Sequence, residues 1–281
     1  MIILGQHADN NRTISKSFEQ SVDLGQKLGL EHIETGVTYG IYYVSTLGYE
    51  PSLSMWDNPY YYRRYAEERG MVFSQLDAAY PMFEYMGAAQ GYLYMTQAIR
   101  FAADLGAKYV DSTDRGVPHP DYPEKVAFDW AVKNFTELLK WAEDFKVGIN
   151  IETHGVYTQN PEFMLKLFEY FESEYLGMCF DTGNTYIAGK DPYEYLKYMS
   201  KYVKHLHIKD IEPTLAETNR GEDTGVATSV IPLGGGVNAD NIKKCLDYLK
   251  EIKWSGYASV ECMGTDDNME KSVKWVREAL K

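Results

Sequence analysis

The chain of 281 residues carries 41 Asp and Glu against 28 Lys and Arg, a formal net charge of −13, and is 44% hydrophobic. That length suits one large α/β domain or two modest ones with enough apolar residues for a full core. An acidic balance with no compensating basic cluster argues against nucleic acid and anionic membranes, which demand cationic side chains.

A strand–helix alternation runs from end to end. Ile2–Gln6 reads as the first strand, and Ser15–Leu28 as a helix with a helical apolar period. Glu31–Thr35 is the second strand. After a long aromatic loop, Pro59–Arg69 is helical and stops at Gly70. Met71–Leu76 gives a third strand, Gly91–Leu105 a helix closed by Gly106, and Lys108–Ser112 a fourth strand. A loop with Pro118, His119, Pro120 and Pro123 leads into the long amphipathic helix Glu124–Phe145; His119 reads as an ordinary loop residue. The last four strands fall at 146–152, 176–181, 203–208 and 257–261, with helices at 161–172, 191–200, 238–251 and 267–280. Asn160-Pro161 and Asp191-Pro192 place a capping residue before a proline, a good helix start.

Eight strands alternating with eight helices imply right-handed βαβ units and a parallel sheet. Eight repeats in about 280 residues suit a single (β/α)₈ TIM barrel spanning 1–281 better than an open doubly wound sheet. No GxGxxG follows the first strand, so a dinucleotide fold has no support. No apolar run approaches the ~18–20 residues of a membrane span. The opening Met1-Ile2-Ile3-Leu4-Gly5-Gln6 lacks the basic leader and apolar stretch of a signal peptide. Cys179, Cys245 and Cys262 show no CxxC spacing, so a reducing compartment, the cytoplasm, is expected.

Chemistry concentrates at the ends of the last four strands. Gly148–His154, Gly177–Asn184, His205–Asp210 and Ala258–Cys262 are short apolar runs, each ending in a residue able to bind metal. Buried carboxylates cost several kcal/mol apiece unless neutralised. Glu152, Asp181 and Glu261 therefore need a cation in common, and His207 can supply a nitrogen ligand. Active sites of (β/α)₈ barrels lie at these strand ends. Residues two apart share a face of a strand, so an inward Glu152 brings His154, and His207 brings His205 and Lys209. By the same alternation Cys262 faces the helices and is not a nucleophile candidate.

The string Ile151-Glu152-Thr153-His154-Gly155, the turn Phe180-Asp181-Thr182-Gly183-Asn184, His205-Leu206-His207-Ile208-Lys209-Asp210 and Val260-Glu261 resemble the xylose-isomerase-like sugar phosphate isomerase/epimerase superfamily. Ile231-Pro232-Leu233-Gly234-Gly235-Gly236-Val237 is similar to that family's glycine turn before the seventh helix. The resemblance is strong over the last four strands and extends to the first half only in layout. It implies one divalent ion held by Glu152, Asp181, His207 and Glu261. Three carboxylates and an imidazole suit Mn²⁺, Mg²⁺, Co²⁺ or Zn²⁺, with manganese the first expectation.

The superfamily's activities include ketose 3-epimerases, hydroxypyruvate isomerase, inosose and dehydroshikimate dehydratases, the large subunit of C-glycoside deglycosidases, and endonuclease IV. The last uses many histidines and acts on DNA, which six histidines and an acidic surface do not fit. The others imply removal of a proton alpha to a carbonyl of a sugar. In the epimerases the residues matching Glu152 and Glu261 are ligands and also the acid/base pair. Glu152-x-His154 instead resembles the dehydratase and deglycosidase branches, where loss of a leaving group follows. His154 is then either a proton-transfer catalyst or a partner orienting Glu152.

The expected reaction is elimination of an aglycone from a 3-oxo-glycoside. A ketose 3-epimerase or aldose–ketose isomerase is the nearer alternative, and a non-catalytic sugar-binding barrel or scaffold the more distant one. Lys209 either binds a substrate oxygen or balances the carboxylates. Glu34, His7 and Arg220 are further substrate-binding candidates. The many tyrosines between Tyr39 and Tyr94 pack loops or a subunit interface, or stack on sugar and flavonoid-like rings. The expected partner is a small sugar or glycoside, with a homo-oligomer or a small partner subunit compatible with the sequence.

Overall fold

Strand ends and helix starts are set by local chemistry that the sequence states openly. The structure, a computed structural model, describes residues 1–40, 51–85, 90–114, 123–221, 225 and 227–281. Among the described residues nine strands form one parallel sheet: β1 (Ile2–His7), β2 (His32–Thr38), β3 (Leu53–Ser54), β4 (Val72–Asp77), β5 (Tyr109–Ser112), β6 (Gly148–Glu152), β7 (Leu176–Asp181), β8 (Val203–Ile208) and β9 (Gly256–Val260). β1 pairs with both β2 and β9, which closes an eight-stranded barrel; the two-residue β3 pairs with β2 outside the ring. The expected TIM barrel is the fold.

Ten α-helices occur among the described residues: α1 (Phe18–Lys27), α2 (Pro59–Glu67), α3 (Tyr92–Leu105), α4 (Glu124–Phe145), α5 (Pro161–Phe171), α6 (Thr182–Ile187), α7 (Pro192–Met199), α8 (Pro213–Asn219), α9 (Ala239–Glu251) and α10 (Asp266–Ala279). Asn160 and Asp191 cap α5 and α7 as expected, accepting from the backbone two and three residues on. The first helix begins later than its periodicity suggests. Ser17 and Gln20 form a capping box, and residues 8–14 form a 3₁₀ turn that ends at Ser15 in the left-handed region. Two short helices, α6 and α8, have no counterpart in the sequence reading; neither is long enough for a helical period to show. Among the described residues, no helix is long and apolar enough to cross a membrane.

The barrel interior is polar on the side that supports the site. An extra residue in β4 opposite Ile33 and Thr35 of β2 forms a bulge. Consecutive Ser74 and Gln75 both reach inward there, Ser74 to His205 and Gln75 to Glu34, Cys179 and Asn150. Apolar residues from all the strands pack outward against the helices, with Phe135, Leu138, Ile149, Phe180 and Leu206 fully buried. That division places titratable chemistry on the axis and cohesion in the outer layer.

Candidate metal and catalytic site

β6 to β9 deliver four ligand candidates to one point. One ligand atom from each of Glu152, Asp181, His207 and Glu261 lies within 4.8 Å of the others. Asp181 divides its carboxylate between two tasks. Oδ1 accepts the backbone N–H groups of Gly183 and Asn184 at 2.7 and 2.8 Å and so caps α6. Oδ2 turns towards the cluster. Asn184 donates to Glu152 Oε1 at 3.3 Å, and Lys209 donates to Asn184 Oδ1 at 3.2 Å. Gly183 is required for this: a Cβ there would meet Lys209 Cγ at 2.6 Å.

Lys209 Nζ lies 2.8 Å from Asp181 Oδ2 and 3.0 Å from Glu261 Oε2. Burial works against the charged ammonium, but Asp181, Glu261 and Glu152 together raise its pKa. Lys209 therefore balances the carboxylates, and it also faces the cavity described below. One ammonium against three carboxylates leaves an excess of negative charge that, among the described residues, only the His207 ring, shared with Glu34, offsets. Burial pushes Asp181 above the ordinary carboxylate range, with Lys209 pulling the other way. Beyond that shared ammonium, Asp181 Oδ2 and Glu261 Oε2, both buried, receive no hydrogen bond from the described residues.

His207 sharpens the case for a cation. Its Nε2 is 2.9 Å from Glu34 Oε2, while Nδ1 is 3.1 Å from Glu152 Oε1, 3.5 Å from Glu261 Oε2 and 3.9 Å from Asp181 Oδ2. Burial opposes a charge on this ring, but its acidic neighbours, Glu34 and Glu152 among them, raise its pKa well above the ordinary imidazole range, so without a metal it keeps a proton on each nitrogen. A divalent ion in place of the Nδ1 proton would balance the carboxylates and take the Nδ1 lone pair together with oxygens of Glu152, Asp181 and Glu261, while Nε2–H stays on Glu34. The residues fit a hard or borderline divalent metal.

A second group, Cys179, His205 and His207, also comes within ligand distance. It is already satisfied without a metal. His205 Nε2 meets Ser74 Oγ at 3.2 Å, and Gln75 donates to Cys179 Sγ at 3.4 Å. Burial lowers His205 to about 3 and raises the Cys179 thiol, so both stay neutral. This is hydrogen-bonded core.

A cavity of about 630 Å³ opens over the cluster, lined by His7, Asp77, Glu152, His154, His207, Lys209 and Glu261, among others. His154 lies outside the four-residue cluster and faces the same space. It does not hold the Glu152 carboxylate, which His207 and Asn184 contact instead; its ring pairs with Thr113. His7 accepts from the Asp9 backbone at Nδ1 and lies 3.5 Å from Asp77 Oδ2 at Nε2.

Two expected substrate contacts are placed elsewhere. Glu34 is fully buried beneath the cavity, and His207, Gln75 and Ser259 consume its carboxylate. Arg220 follows α8, donates to the Tyr186 carbonyl and stacks on the Tyr186 ring. His119, Tyr42, Tyr43 and Tyr49 lie outside the described residues. Asp77, at the end of β4, was missed although it obeys the same strand-end rule as the ligands. Asp9 and Arg12 in the 3₁₀ turn also line the cavity, and no motif marks them. Cys262 faces away, its thiol directed at the Ile231 carbonyl. Asp210 is structural: its carboxylate gathers the backbone N–H groups of Ile211, Gly234, Gly236 and Asn238, which shapes the glycine turn.

The profile of the family described as xylose isomerase-like TIM barrel matches residues 62–279. This chain belongs to the xylose isomerase-like TIM barrel family. Inosose dehydratase of Clostridium botulinum (strain Eklund 17B / Type B) is 27% identical over 179 residues, covering 57% of this chain and 59% of that protein. The chain thus spans less than two thirds of the length of the curated relatives it matches. A solved L-ribulose 3-epimerase superposes with a TM-score of 0.77 at 15% identity, covering 100% of this chain and 95% of that one. An IolI protein with a bound zinc atom gives a TM-score of 0.77 at 18% identity, covering 99% and 97%. At such identities the two structures establish the shared barrel.

Proposed function

We propose that this member of the xylose isomerase-like family is a divalent-metal-dependent enzyme that removes the proton alpha to the ketone of a keto-sugar, and that it eliminates an aglycone from a 3-oxo-glycoside. The observation carrying the reading is one cavity that holds a four-ligand cluster and, outside it, the imidazole of His154. Glu152, Asp181, His207 and Glu261 would hold the ion. Manganese is the preferred occupant on the oxygen-rich donor set; the zinc in the IolI relative supports a divalent ion more broadly. Bound there, the ion supplies a Lewis acid for the ketone oxygen.

His154 takes the proton from the carbon next to the ketone. The electron pair forms the C1–C2 double bond as the bond from C1 to the aglycone breaks. One proton leaves carbon and the aglycone gains one, so no oxidant or co-substrate is needed. Lys209 keeps the ligand carboxylates charged and offers a cation to the developing negative charge on oxygen. His7 and Asp77 offer polar groups to sugar hydroxyls on the opposite wall.

The glycoside reading draws on a second compartment of about 670 Å³ that shares Asp9, Arg12, Asp77 and Ala79 with the first. Tyr80 and Tyr94 line it, with rings 5.5 Å apart. A sugar over the cluster would leave room beside it for an aromatic aglycone. The other tyrosines of this region have structural work: Tyr60, Tyr61 and Tyr65 on α2 bind Asp104, Glu19 and Asp23 of neighbouring helices.

A ketose epimerase is the second reading, favoured by Glu152 and Glu261 reaching the cavity from separate strands. Incubation with Mn²⁺ and either a free ketose or a 3-oxo-glycoside with an aromatic aglycone separates the two. Aglycone release is expected. Epimer formed from the ketose with no aglycone released would overturn the lyase reading, and no divalent ion after gentle purification would favour a binding protein. Three buried free cysteines support a reducing, cytoplasmic location.

A further inference from the structure

His154 is fixed from both sides of its own residue. Its backbone N–H donates to Thr158 Oγ1 at 3.0 Å, and its carbonyl accepts the hydroxyl proton of Thr113. Thr113 Oγ1 also lies 3.2 Å from His154 Nδ1. A hydroxyl has one proton. A carbonyl can only accept, so that proton is committed to the His154 carbonyl. Towards Nδ1 the Thr113 oxygen would then accept, an arrangement that calls for the ring hydrogen on Nδ1. The neutral ring is left with a bare Nε2.

We propose that Thr113 is a positioning residue that locks His154 in the Nδ1–H tautomer, so that Nε2, the nitrogen with no described partner, presents the basic lone pair to the cavity. The choice matters because a neutral imidazole has one basic nitrogen, and the partner of the other nitrogen decides which it is. Thr113 is itself held by its strand rather than by the histidine. It follows β5 directly; its N–H donates to the Tyr80 carbonyl at 3.4 Å, and its carbonyl accepts from Met82 at 3.0 Å. The neighbouring Asp114 carboxylate binds the backbone N–H groups of Tyr157 and Thr158, so two adjacent residues clamp the loop after β6. The end of one strand thereby sets the protonation geometry of a residue carried by the next. The tautomer assignment stands on contacts alone, whereas its catalytic meaning rests on His154 being the base.

Nitrogen NMR of the six imidazoles in Mg²⁺-loaded protein, with His154 assigned through His154→Gln, reads the tautomer without turnover. The wild type and Thr113→Ser should show a protonated Nδ1 and a bare Nε2. Thr113→Val should lose that preference. With the 3-oxo-glycoside, Thr113→Val should lower kcat by ~10–100-fold at little changed KM, and Thr113→Ser should restore it. Metal content and melting temperature should match between the two variants. A protonated Nε2 in the wild type overturns the proposal even if no variant folds. A valine variant that keeps the tautomer and its turnover overturns it equally. Full activity in His154→Ala would strike the base reading alone, because the tautomer is measured separately.

Discussion

Two acidic layers sit one above the other in the barrel, built from the same residue types and resolved in opposite ways. In the lower layer Glu34 meets His207, Gln75 and Ser259, and Gln75 in turn accepts from Asn150. Burial alone would raise the Glu34 pKa, but the charges of His207 and His7 and the hydrogen bond from His207 hold it well below the ordinary range. In the upper layer Glu152, Asp181 and Glu261 face one another, and Asp181 Oδ2 and Glu261 Oε2 have one shared ammonium and no neutral donor among the described residues. A protein can seal a buried carboxylate with side-chain donors, and it does so here one layer down. In the upper layer neutral donors reach Glu152 Oε1 and Asp181 Oδ1 but not the facing oxygens of Asp181 and Glu261, the arrangement expected if a cation is to be held there.

The largest effect expected from this difference is on metal binding. Asp181→Asn should weaken divalent-ion affinity by more than the ~10–100-fold that follows loss of an outer partner of a metal ligand, and should abolish turnover. Mn²⁺ at ~100 times its Kd should stabilise the wild type by ~2.7 kcal/mol and the variant by far less. Without metal the variant should be no less stable than the wild type, because it removes one of the crowded charges while its carbonyl still caps α6. Calorimetry with and without Mn²⁺ measures both. A metal-free Asp181→Asn protein that melts well below the wild type would show that the upper layer is also self-sufficient.

His154→Ala comes next. Turnover should fall by roughly 10²–10⁴-fold with metal content unchanged, since the ring contacts Thr113 and none of the four ligands. Activity near wild type with a full complement of metal would make His154 a bystander. Glu34→Gln tests the lower layer and should behave inversely to Asp181→Asn. It should cost ~1–3 kcal/mol even without metal, because donors converge on both Glu34 oxygens and the amide would turn one of those acceptors into an NH2 donor. It should also weaken the ion by ~10–100-fold by releasing the far side of His207. Equal stability of Glu34→Gln and wild type would mean that the two layers do not differ as argued.

The sequence made the upper layer legible and the lower one obscure, for a physical reason. Glu152, Asp181, His207 and Glu261 end apolar runs, and an acid in that setting is conspicuous against the alternation around it. Glu34 falls near the end of the strand expected over Glu31–Thr35, which marks it as a substrate contact, but β2 runs on to Thr38 and leaves Glu34 deep inside the barrel. Its role depends on Gln75, which points inward only because β4 carries a bulge, and no local pattern announces a bulge. The eight strands and the caps at Asn160 and Asp191 follow from periodicity and from single-residue chemistry. Thr113 shows no periodicity or motif; its meaning lies in a contact with the following strand's loop.

The smallest expected effect concerns His32, at the foot of the lower layer. Its Nε2 lies 3.2 Å from the Ala258 carbonyl, its Nδ1 is buried without a partner, and burial lowers its pKa to about 4. The sign follows from comparing the two states. In the unfolded chain this imidazole takes a proton as pH falls through about 6.5, while in the fold it resists until about 4. Its contribution to stability is therefore complete above pH ~6.5 and is lost as pH falls towards the folded value, with a slope of at most ~1.4 kcal/mol per pH unit. His32→Gln cannot titrate and should show a shallower loss over that window in urea unfolding, whatever its offset at neutral pH. A wild-type-to-variant difference that stays constant from pH 7 to pH 4 would mean that His32 is protonated in the fold, and that the lower layer is less sealed than its hydrogen bonds imply.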